Sequence, residues 1–376
     1  MLAKILKEYP DIFAQNLCNL FNQSVAHSTF PLELKAGEIT SLFKKDDASL
    51  KKNFRPITVL PAVSKIFERL MHSQLMQFAG SFLSILLCGF RRGFSTQNAL
   101  LRFLEKVKMG LDNKKFAGAI LMDLSKAFDC LNHELLIAKL NAYGLGRSAL
   151  EFIHSYLSAR KQRVKVNGSF SNWRETNLGV PQGSVLGPLL FNIYINDMLY
   201  LMEDAEICNY ADDTTIYVVS DKINDVVRRL EDGVAAILNW FPNNYMKLNE
   251  EKCHVMIFGG LHDDIRVKIG TSVIKETKEQ MLLGINIDNK LTFKSHVETL
   301  CKKAAQKLHA LARIANYMET EQLASLMNAF IMSHFSYCPL VWMFHDRNIN
   351  KKSIRYKKGP YVLYIKIITQ ILKLYS

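Results

Sequence analysis

Paired cysteines, long apolar runs and a secretory leader are all missing from this sequence. Its seven cysteines are an odd number without a Cys-x-x-Cys pair, which argues against a disulfide framework and against a zinc site. No stretch approaches the roughly eighteen apolar residues that a membrane span needs. Residues 1–8 lack the apolar core and the cleavage site of a secretory signal. We therefore expect an intracellular protein without a membrane segment, in the reducing cytoplasm or nucleus.

The composition is that of a folded, basic protein. The 376 residues are 49% hydrophobic and 22% charged, which is enough for two or three subdomains with cores of their own. The formal net charge is +13, and residues 291–376 hold thirteen Lys/Arg against four Asp/Glu. Such a basic excess is typical of a protein that binds a polyanion, although a solvated helix surface would have the same composition.

Two adjacent carboxylates, Asp212 and Asp213, lie between two short apolar runs. Ile207 and Cys208 precede the segment Tyr210–Thr215, and a β-branched run follows it, so the pattern predicts a β-hairpin with the carboxylates at its tip. The two side chains repel each other, and no basic residue is near them in the sequence. Mg²⁺ prefers hard oxygen ligands and is usually held by one or two carboxylates together with phosphates, so we expect a divalent cation there.

The rest of the chain predicts a mixed α+β fold. Asn132 is a suitable N-cap for a helix that stops at Gly144, and Asn167-Gly168 predicts a turn after the strand 164–166. Further predicted segments are helices at 64–78, 192–201 and 223–240, strands at 116–122 and 255–258, and a C-terminal helical part whose apolar stripe comprises Val297, Leu300, Ala304, Leu308, Leu311 and Ala315.

A third carboxylate, Asp123, ends the apolar strand 116–122. A carboxylate at the end of a buried strand is costly unless a cation meets it, although capping of the following turn is an alternative. Asp123 together with the Asp212-Asp213 pair is the set of ligands that a two-metal phosphoryl-transfer site needs.

Three motifs occur in a fixed order around these carboxylates: Met122–Asp129, Gly179–Phe191 and Tyr210–Asp213. Together they resemble the reverse transcriptase of non-LTR (LINE-type) retrotransposons, in particular the jockey-like branch. The resemblance runs from about residue 5 to about residue 350. It implies an α+β right-hand polymerase, with a fingers-like region at 1–117, a palm with part of the fingers at 118–290, and a partial helical thumb at 291–376.

The resemblance also implies roles for particular residues. Asp123 and Asp212 would bind the metals directly, with Asp213 less directly involved, and the cofactor would be two Mg²⁺ ions, with Mn²⁺ as the alternative. Phe128 matches the position that stacks under the sugar and excludes a 2′-hydroxyl, although ordinary core packing would also account for its ring. Gln182 and Gly183 match the motif that lines the nucleotide pocket, and a plain surface loop is the alternative.

A basic segment would contact the incoming triphosphate. Lys44, Lys45 and Arg55 resemble the basic fingers motif of the family, where they would neutralise charge on the pyrophosphate. A solvated basic loop is the alternative for each of them. Lys252, in a segment that resembles a later palm motif, is a candidate proton donor. The primer grip would lie at 281–284, and the thumb lysines at 294–329 would follow duplex phosphates.

The resemblance is incomplete at both ends of the chain. The family's reading frame normally carries an endonuclease before the polymerase, and this chain has no room for it. At the other end, residues 357–376 do not match the family.

Three hypotheses follow. The first is an RNA-directed DNA polymerase whose partners are an RNA template, a DNA primer and deoxynucleoside triphosphates. The second is a defective retroelement fragment that only binds nucleic acid. The third is an RNA-templated RNA polymerase, against which the bulky Phe128 argues. The oligomeric state is left open.

Overall fold

A computed structural model describes residues 3–44, 47–124, 127–260, 262 and 264–343. The helices are α1 Ala3–Glu8, α2 Pro10–Ala26, α3 Ala62–Ala79, α4 Thr96–Asp112, α5 His133–Ala142, α6 Arg147–Leu157, α7 Gly187–Ile195, α8 Ile223–Asn243, α9 Lys294–Ala312, α10 Thr320–Met327, α11 Ser333–Phe335 and α12 Pro339–Trp342. The strands are β1 Ala36–Phe43, β2 Phe54–Val59, β3 Phe116–Asp123, β4 Arg160–Val166, β5 Ser169–Phe170, β6 Arg174–Thr176, β7 Glu206–Tyr210, β8 Asp213–Ser220, β9 His254–Phe258, β10 Arg266–Ile269, β11 Ser272–Lys275, β12 Glu279–Leu282 and β13 Ile285–Asp288.

The chain divides into two compact units, and each is built from separate stretches of sequence. The first unit comprises residues 1–92, 123–202 and 235–249, and the second comprises residues 93–122, 203–234 and 250–376. The chain therefore passes between the units several times, and neither unit corresponds to one continuous segment.

The first unit contains a five-stranded sheet of order β2-β1-β4-β5, with β6 paired to β4. Strand β1 runs antiparallel to β2 and parallel to β4. The predicted turn at Asn167-Gly168 is confirmed, because both residues have positive φ (49° and 84°) and connect β4 to β5. This conformation is the one that Asn-Gly adopts most readily in a two-residue hairpin loop.

Aromatic residues fill the core of the first unit. The ring of Phe67 stacks on Phe21 with centroids 4.2 Å apart and on Phe30 at 5.2 Å. Phe152 and Tyr156, both from α6, meet Phe30 edge to face. These rings hold α2, α3 and α6 together, because aromatic pairs contribute packing energy beyond their buried area.

The second unit contains a four-stranded sheet of order β7-β8-β3-β9, in which β3 and β9 are antiparallel. A Cβ on Gly118 of β3 would lie 2.6 Å from a methyl group of Val226 and 2.7 Å from one of Leu230. The missing side chain thus lets α8 lie directly against the sheet. From α4, Phe103 meets Tyr217 and Phe258 edge to face, which packs that helix against the same sheet.

Most of these helices and strands were predicted from the sequence. The predicted cap is confirmed, since the Asn132 side chain accepts a hydrogen bond from the Leu135 backbone N–H. The apolar stripe of the C-terminal helix is confirmed at Leu300, Ala304 and Leu311, which are buried in α9. The helix predicted at 192–201 is confirmed over residues 192–200, of which 196–200 form a 3₁₀ helix, but its start was predicted too late, since α7 begins at Gly187 with Pro188 in its first turn. None of the helices in the described ranges is long and apolar enough to cross a membrane.

Candidate active site

The Asp212-Asp213 pair lies at the tip of a tight hairpin in the second unit. Strand β7 ends at Tyr210, β8 begins at Asp213, and these two residues pair across the ladder. Ala211 and Asp212 are the two residues of the loop. The predicted β-hairpin with carboxylates at its tip is confirmed, and both aspartates are half-buried.

A buried asparagine fixes the conformation of this turn. Ala211 has φ of 58°, a left-handed conformation that costs a residue with a Cβ about 1–2 kcal/mol. The Asn209 side chain is buried, and its Nδ2 donates to the carbonyl oxygen of Ala211 at 2.9 Å and to Oγ1 of Thr214 at 3.0 Å. These bonds connect the two strands and hold the carboxylates in one arrangement.

The strand that ends at Asp123 belongs to the same sheet. Strand β3 lies between β8 and β9, and all its residues between Phe116 and Asp123 are buried. Asp123 itself is half-buried. Sheet order therefore makes the strand carrying Asp123 the neighbour of the strand that begins at Asp213.

The segment 248–252 runs beside Asp123. The Asn249 N–H donates to the carbonyl oxygen of Asp123 at 3.1 Å, and Leu124 forms an isolated bridge with Leu248. Lys252 follows in a short 3₁₀ turn and is exposed. No local pattern predicted this pairing, which joins positions more than a hundred residues apart.

The Phe128 ring packs between two other aromatic rings of the first unit. It stacks on Phe191 with centroids 4.5 Å apart and an interplanar angle of 28°, and it meets Phe90 edge to face at 5.9 Å. Despite these contacts, the Phe128 side chain is only half-buried, so part of it is exposed. The ring is therefore both a packing element and a fixed, partly accessible surface.

The loop containing Gln182 and Gly183 is attached to the edge of strand β2. The Thr58 N–H donates to the carbonyl oxygen of Gln182 at 2.7 Å, and Gln182 Nε2 donates to Oδ1 of Asp129 at 2.9 Å. Gly183 has φ of 121°, and a Cβ there would lie 2.6 Å from the carbonyl oxygen of Thr58. Only glycine fits this close approach of two backbones.

A buried carboxylate that the sequence analysis missed holds the same loop. Glu68 on α3 is fully buried, and its Oε2 accepts hydrogen bonds from the backbone N–H groups of Val185 (2.6 Å) and Leu186 (3.2 Å). Its Oε1 accepts from the Ser64 hydroxyl. Burial, together with the nearby Glu68 carboxylate, raises the pKa of Tyr156. One signal was available: Ser64 and Glu68 are one helical turn apart beside the buried Phe67.

Two of the three predicted basic residues lie at the β1–β2 hairpin. Lys44 follows β1 and is exposed, and its backbone N–H donates to the carbonyl oxygen of Asn53 at 2.9 Å. Arg55 on β2 is exposed and pairs with Leu42. Lys45 lies outside the described residues. The hairpin thus presents the Lys44 and Arg55 side chains to solvent within the first unit.

The carboxylate oxygens of Asp123, Asp212 and Asp213 are suitable ligands for a divalent cation. Asp212 forms no salt bridge or side-chain hydrogen bond with any residue that the structure describes, although it is half-buried. Carboxylate oxygens are the ligands that Mg²⁺ and Mn²⁺ prefer. Within the described ranges, no group of three His, Cys, Asp or Glu side chains is close enough to bind a metal ion without other ligands.

The fold is that of a right-hand polymerase. The telomerase of Candida tropicalis, solved in complex with a fragment of telomeric RNA, superimposes with a TM-score of 0.50 and 14% sequence identity, covering 88% of this chain and 57% of that one. The family described as reverse transcriptase (RNA-dependent DNA polymerase) matches residues 43–287. The chain belongs to this family.

The curated relatives come from mobile elements of Drosophila melanogaster. The probable RNA-directed DNA polymerase from transposon BS is 28% identical over 348 residues, which is 87% of this chain and 37% of that protein. The RNA-directed DNA polymerase from mobile element jockey is 29% identical over 308 residues, which is 79% of this chain and 34% of that protein. The predicted resemblance to jockey-like reverse transcriptases is confirmed. The chain spans about a third of the length of these relatives.

Proposed function

We propose that this chain is an RNA-directed DNA polymerase that adds deoxynucleotides to a primer 3′-hydroxyl on an RNA template. The observation that carries the proposal is the rigid turn presenting Asp212 and Asp213 within the part of the chain that matches the reverse transcriptase family. The names of the transposon BS and jockey relatives support the choice of template and product.

Asp123, Asp212 and Asp213 would hold two divalent cations, Mg²⁺ or Mn²⁺. The order of strands in the sheet supports this, because β3 and β8 are neighbours. When bound, such a pair of cations activates the primer hydroxyl and neutralises charge on the triphosphate. The contribution of the chain is to hold the carboxylates in place before substrate arrives, which the Asn209 hydrogen bonds support.

The nucleotide would contact Phe128, Gln182 and Gly183. Phe128, immobilised by Phe191 and Phe90, would lie under the sugar and exclude a 2′-hydroxyl. The loop at Gln182 and Gly183 would line the pocket, with the Gln182 amide available to a phosphate or sugar oxygen. Deoxynucleotides would then be preferred over ribonucleotides for a steric reason.

Basic residues would surround the triphosphate and the duplex. Lys44, Lys45 and Arg55 would neutralise the pyrophosphate leaving group, and Lys252 would donate a proton to it. We assign residues 1–117 to a fingers-like region, 118–290 to the palm and 291–376 to a partial thumb. Lysines of the thumb would contact duplex phosphates, so binding should weaken steeply as salt is raised.

Primer extension on an RNA template with Mg²⁺ tests the proposal. The unmodified chain should extend the primer with deoxynucleotides, and Asp212→Ala should abolish extension. Asp232→Ala is the matched control, because Asp232 is an exposed aspartate in a surface ion pair with Arg228. Equal extension by the Asp212→Ala variant, or none by the unmodified chain, would overturn the proposal. Salt-dependent duplex binding without extension would instead indicate a chain that only binds nucleic acid.

A further inference from the structure

Tyr337, from the C-terminal part of the second unit, is bonded to the turn between β12 and β13. Its Oη donates a hydrogen bond to the carbonyl oxygen of Leu283 at 2.8 Å. Leu283 and Gly284 are the two residues of this turn, and both have positive φ (47° and 81°). A Cβ on Gly284 would lie 3.3 Å from the Tyr337 ring, so the ring also packs against the turn. Both the hydroxyl and the ring of Tyr337 therefore hold the turn in place.

The same turn lies beside the Asp212-Asp213 hairpin. Leu282 and Leu283 line a small cavity together with Tyr210 and Asp213. Side chains that border a cavity lack contacts on that side, so packing alone holds the turn only weakly against the hairpin. A hydrogen bond that fixes the turn therefore also limits how far the hairpin can shift.

Tyr337 is itself fixed by a residue a few positions further along the chain. The buried Trp342 donates from Nε1 to the carbonyl oxygen of Tyr337 at 3.0 Å. The Trp342 ring meets the His296 ring of α9 edge to face, with centroids 5.7 Å apart. Trp342 thereby connects the backbone at Tyr337 to α9.

The segment between Tyr337 and Trp342 is attached to the first turn of α4. Sγ of the buried Cys338 lies 3.3 Å from Oγ1 of Thr96. The backbone N–H that follows Pro339 donates to Oε1 of Gln97 at 3.3 Å. Helix α4 also forms part of the wall of the cavity beside the hairpin. One helix thus anchors the segment after Tyr337 and borders the same cavity as the carboxylate hairpin.

We propose that Tyr337 is a positioning residue for the Asp212 and Asp213 carboxylates, and that it acts through the turn at Leu283. The hydroxyl fixes the turn, the turn supports the hairpin, and the hairpin keeps the carboxylates in the arrangement that divalent cations need. The inference rests on the proposed function, in which these carboxylates hold the cations. It requires no contact between Tyr337 and the substrate.

The dependence of primer extension on Mg²⁺ concentration tests this role. Tyr337→Phe removes only the hydroxyl, and since Tyr337 is 40% exposed the variant should fold normally. The Mg²⁺ concentration that gives half of the maximal single-turnover rate constant should rise about fivefold, which is the effect of one lost hydrogen bond. A misfolded fraction would lower the amplitude of the turnover and leave the rate constant unchanged, so the rate constant separates positioning from stability.

Two tyrosine variants are matched controls. Tyr143→Phe, in the first unit, removes a half-buried hydroxyl that accepts a hydrogen bond from Asn196 Nδ2 at 3.1 Å. Tyr317→Phe alters an exposed tyrosine of the second unit. Neither variant should change the dependence on Mg²⁺. Trp342→Phe keeps a ring against His296 but removes the indole N–H, so it should raise the Mg²⁺ requirement by less than Tyr337→Phe does.

Hydrogen–deuterium exchange followed by mass spectrometry gives a second readout that needs no catalysis. In metal-free protein, peptides covering β12–β13 and peptides covering β7–β8 should both exchange faster in Tyr337→Phe than in the unmodified chain. Peptides from the β1–β2 hairpin should be unchanged. Faster exchange in β12–β13 with no change in β7–β8 would show that the turn does not support the hairpin, and would overturn the proposal.

The kinetic outcomes separate this proposal from the proposed function. An unchanged Mg²⁺ requirement in folded Tyr337→Phe, or a lower amplitude with the same rate constant, would leave Tyr337 without a positioning role. If the unmodified chain extends no primer while exchange in β7–β8 still depends on Tyr337, the polymerase proposal falls and the support of the hairpin by Tyr337 stands. If extension is normal and Asp212-dependent, and Tyr337→Phe behaves like the unmodified chain, only the role of Tyr337 is overturned.

Discussion

The backbone N–H of Asn249 donates a 3.1 Å hydrogen bond to the carbonyl oxygen of Asp123. Because the bond uses backbone groups on both sides, it constrains the main chain at Asp123 and does not involve the carboxylate. The bridge between Leu124 and Leu248 extends the same contact by one residue. The segment that leads to Lys252 is thereby fixed against the end of the strand that carries Asp123.

The buried Asn209 should be essential to the hairpin. Asn209→Ala removes both donors to Ala211 and Thr214, and we expect the free energy of unfolding to fall by about 1–3 kcal/mol. Urea denaturation followed by circular dichroism measures this. Asn177→Ala, at an exposed position, is the control and should be close to neutral. An unchanged midpoint for Asn209→Ala would show that the turn holds without these bonds.

Gly183 should not tolerate a side chain. Gly183→Ala places a Cβ about 2.6 Å from the Thr58 carbonyl oxygen at a φ of 121°, so we expect a loss of about 2 kcal/mol or more in stability together with reduced primer extension. Thermal unfolding and extension assays report the two effects. Gly146→Ala is the control, since Gly146 has open space and a φ of −66°. Equal stability of the two variants would contradict the close approach.

Glu68 should position the loop that contains Gln182. Glu68→Ala leaves the Val185 and Leu186 N–H groups buried without an acceptor, at a cost of about 1–3 kcal/mol each. Glu68→Gln keeps one acceptor oxygen and should lose less. If both fold, the KM for deoxynucleotide should rise more in the alanine variant than in the glutamine variant. The exposed Glu105→Ala is the control, and a KM unchanged in all three would remove Glu68 from this role.

Phe128 should govern the choice between deoxyribose and ribose. Phe128→Val removes the ring and leaves a small apolar side chain, and we expect ribonucleotide incorporation to rise about tenfold, equivalent to about 1.4 kcal/mol in the transition state. Tyr317→Ala removes an exposed ring elsewhere and should not relax the preference. Competition between deoxynucleotide and ribonucleotide triphosphates measures the ratio. If Phe128→Val left the ratio of ribonucleotide to deoxynucleotide incorporation unchanged, Phe128 would have only a packing role.

The structure also predicts an acid-sensitive element near the loop. Burial lowers the pKa of His133 below 6.5, and its Nε2–H donates to the carbonyl oxygen of Gly179 at 2.8 Å. The unfolded chain therefore binds a proton before the folded chain does, so stability contributed by neutral His133 is lost as pH falls below about 6.5. His133→Gln should flatten the dependence of unfolding midpoint on pH between 7 and 5. An identical slope in both proteins would rule His133 out.

Local sequence patterns predicted much of the fold. The Asp212-Asp213 hairpin, the Asn132 cap and the Asn167-Gly168 turn each depend on residues within a few positions of one another, and all three are confirmed. The start of the helix at 187–195 was missed because burial on all sides removes the periodicity that marks an amphipathic helix. The Lys45 side chain and the divergent segment 357–376 lie outside the described residues.

By itself the sequence determined the candidate site: two carboxylates at one hairpin tip, a third at a strand end, and motifs in the order of a reverse transcriptase. Each of those features depends on residues that are close together in the sequence, so the sequence is enough to identify it. Only the tertiary structure decided that Asn249 bonds Asp123, that Glu68 holds the loop at Val185, and that Thr58 bonds Gln182. Each of these joins positions distant in the chain, and such contacts arise from packing and strand register, which no local pattern specifies.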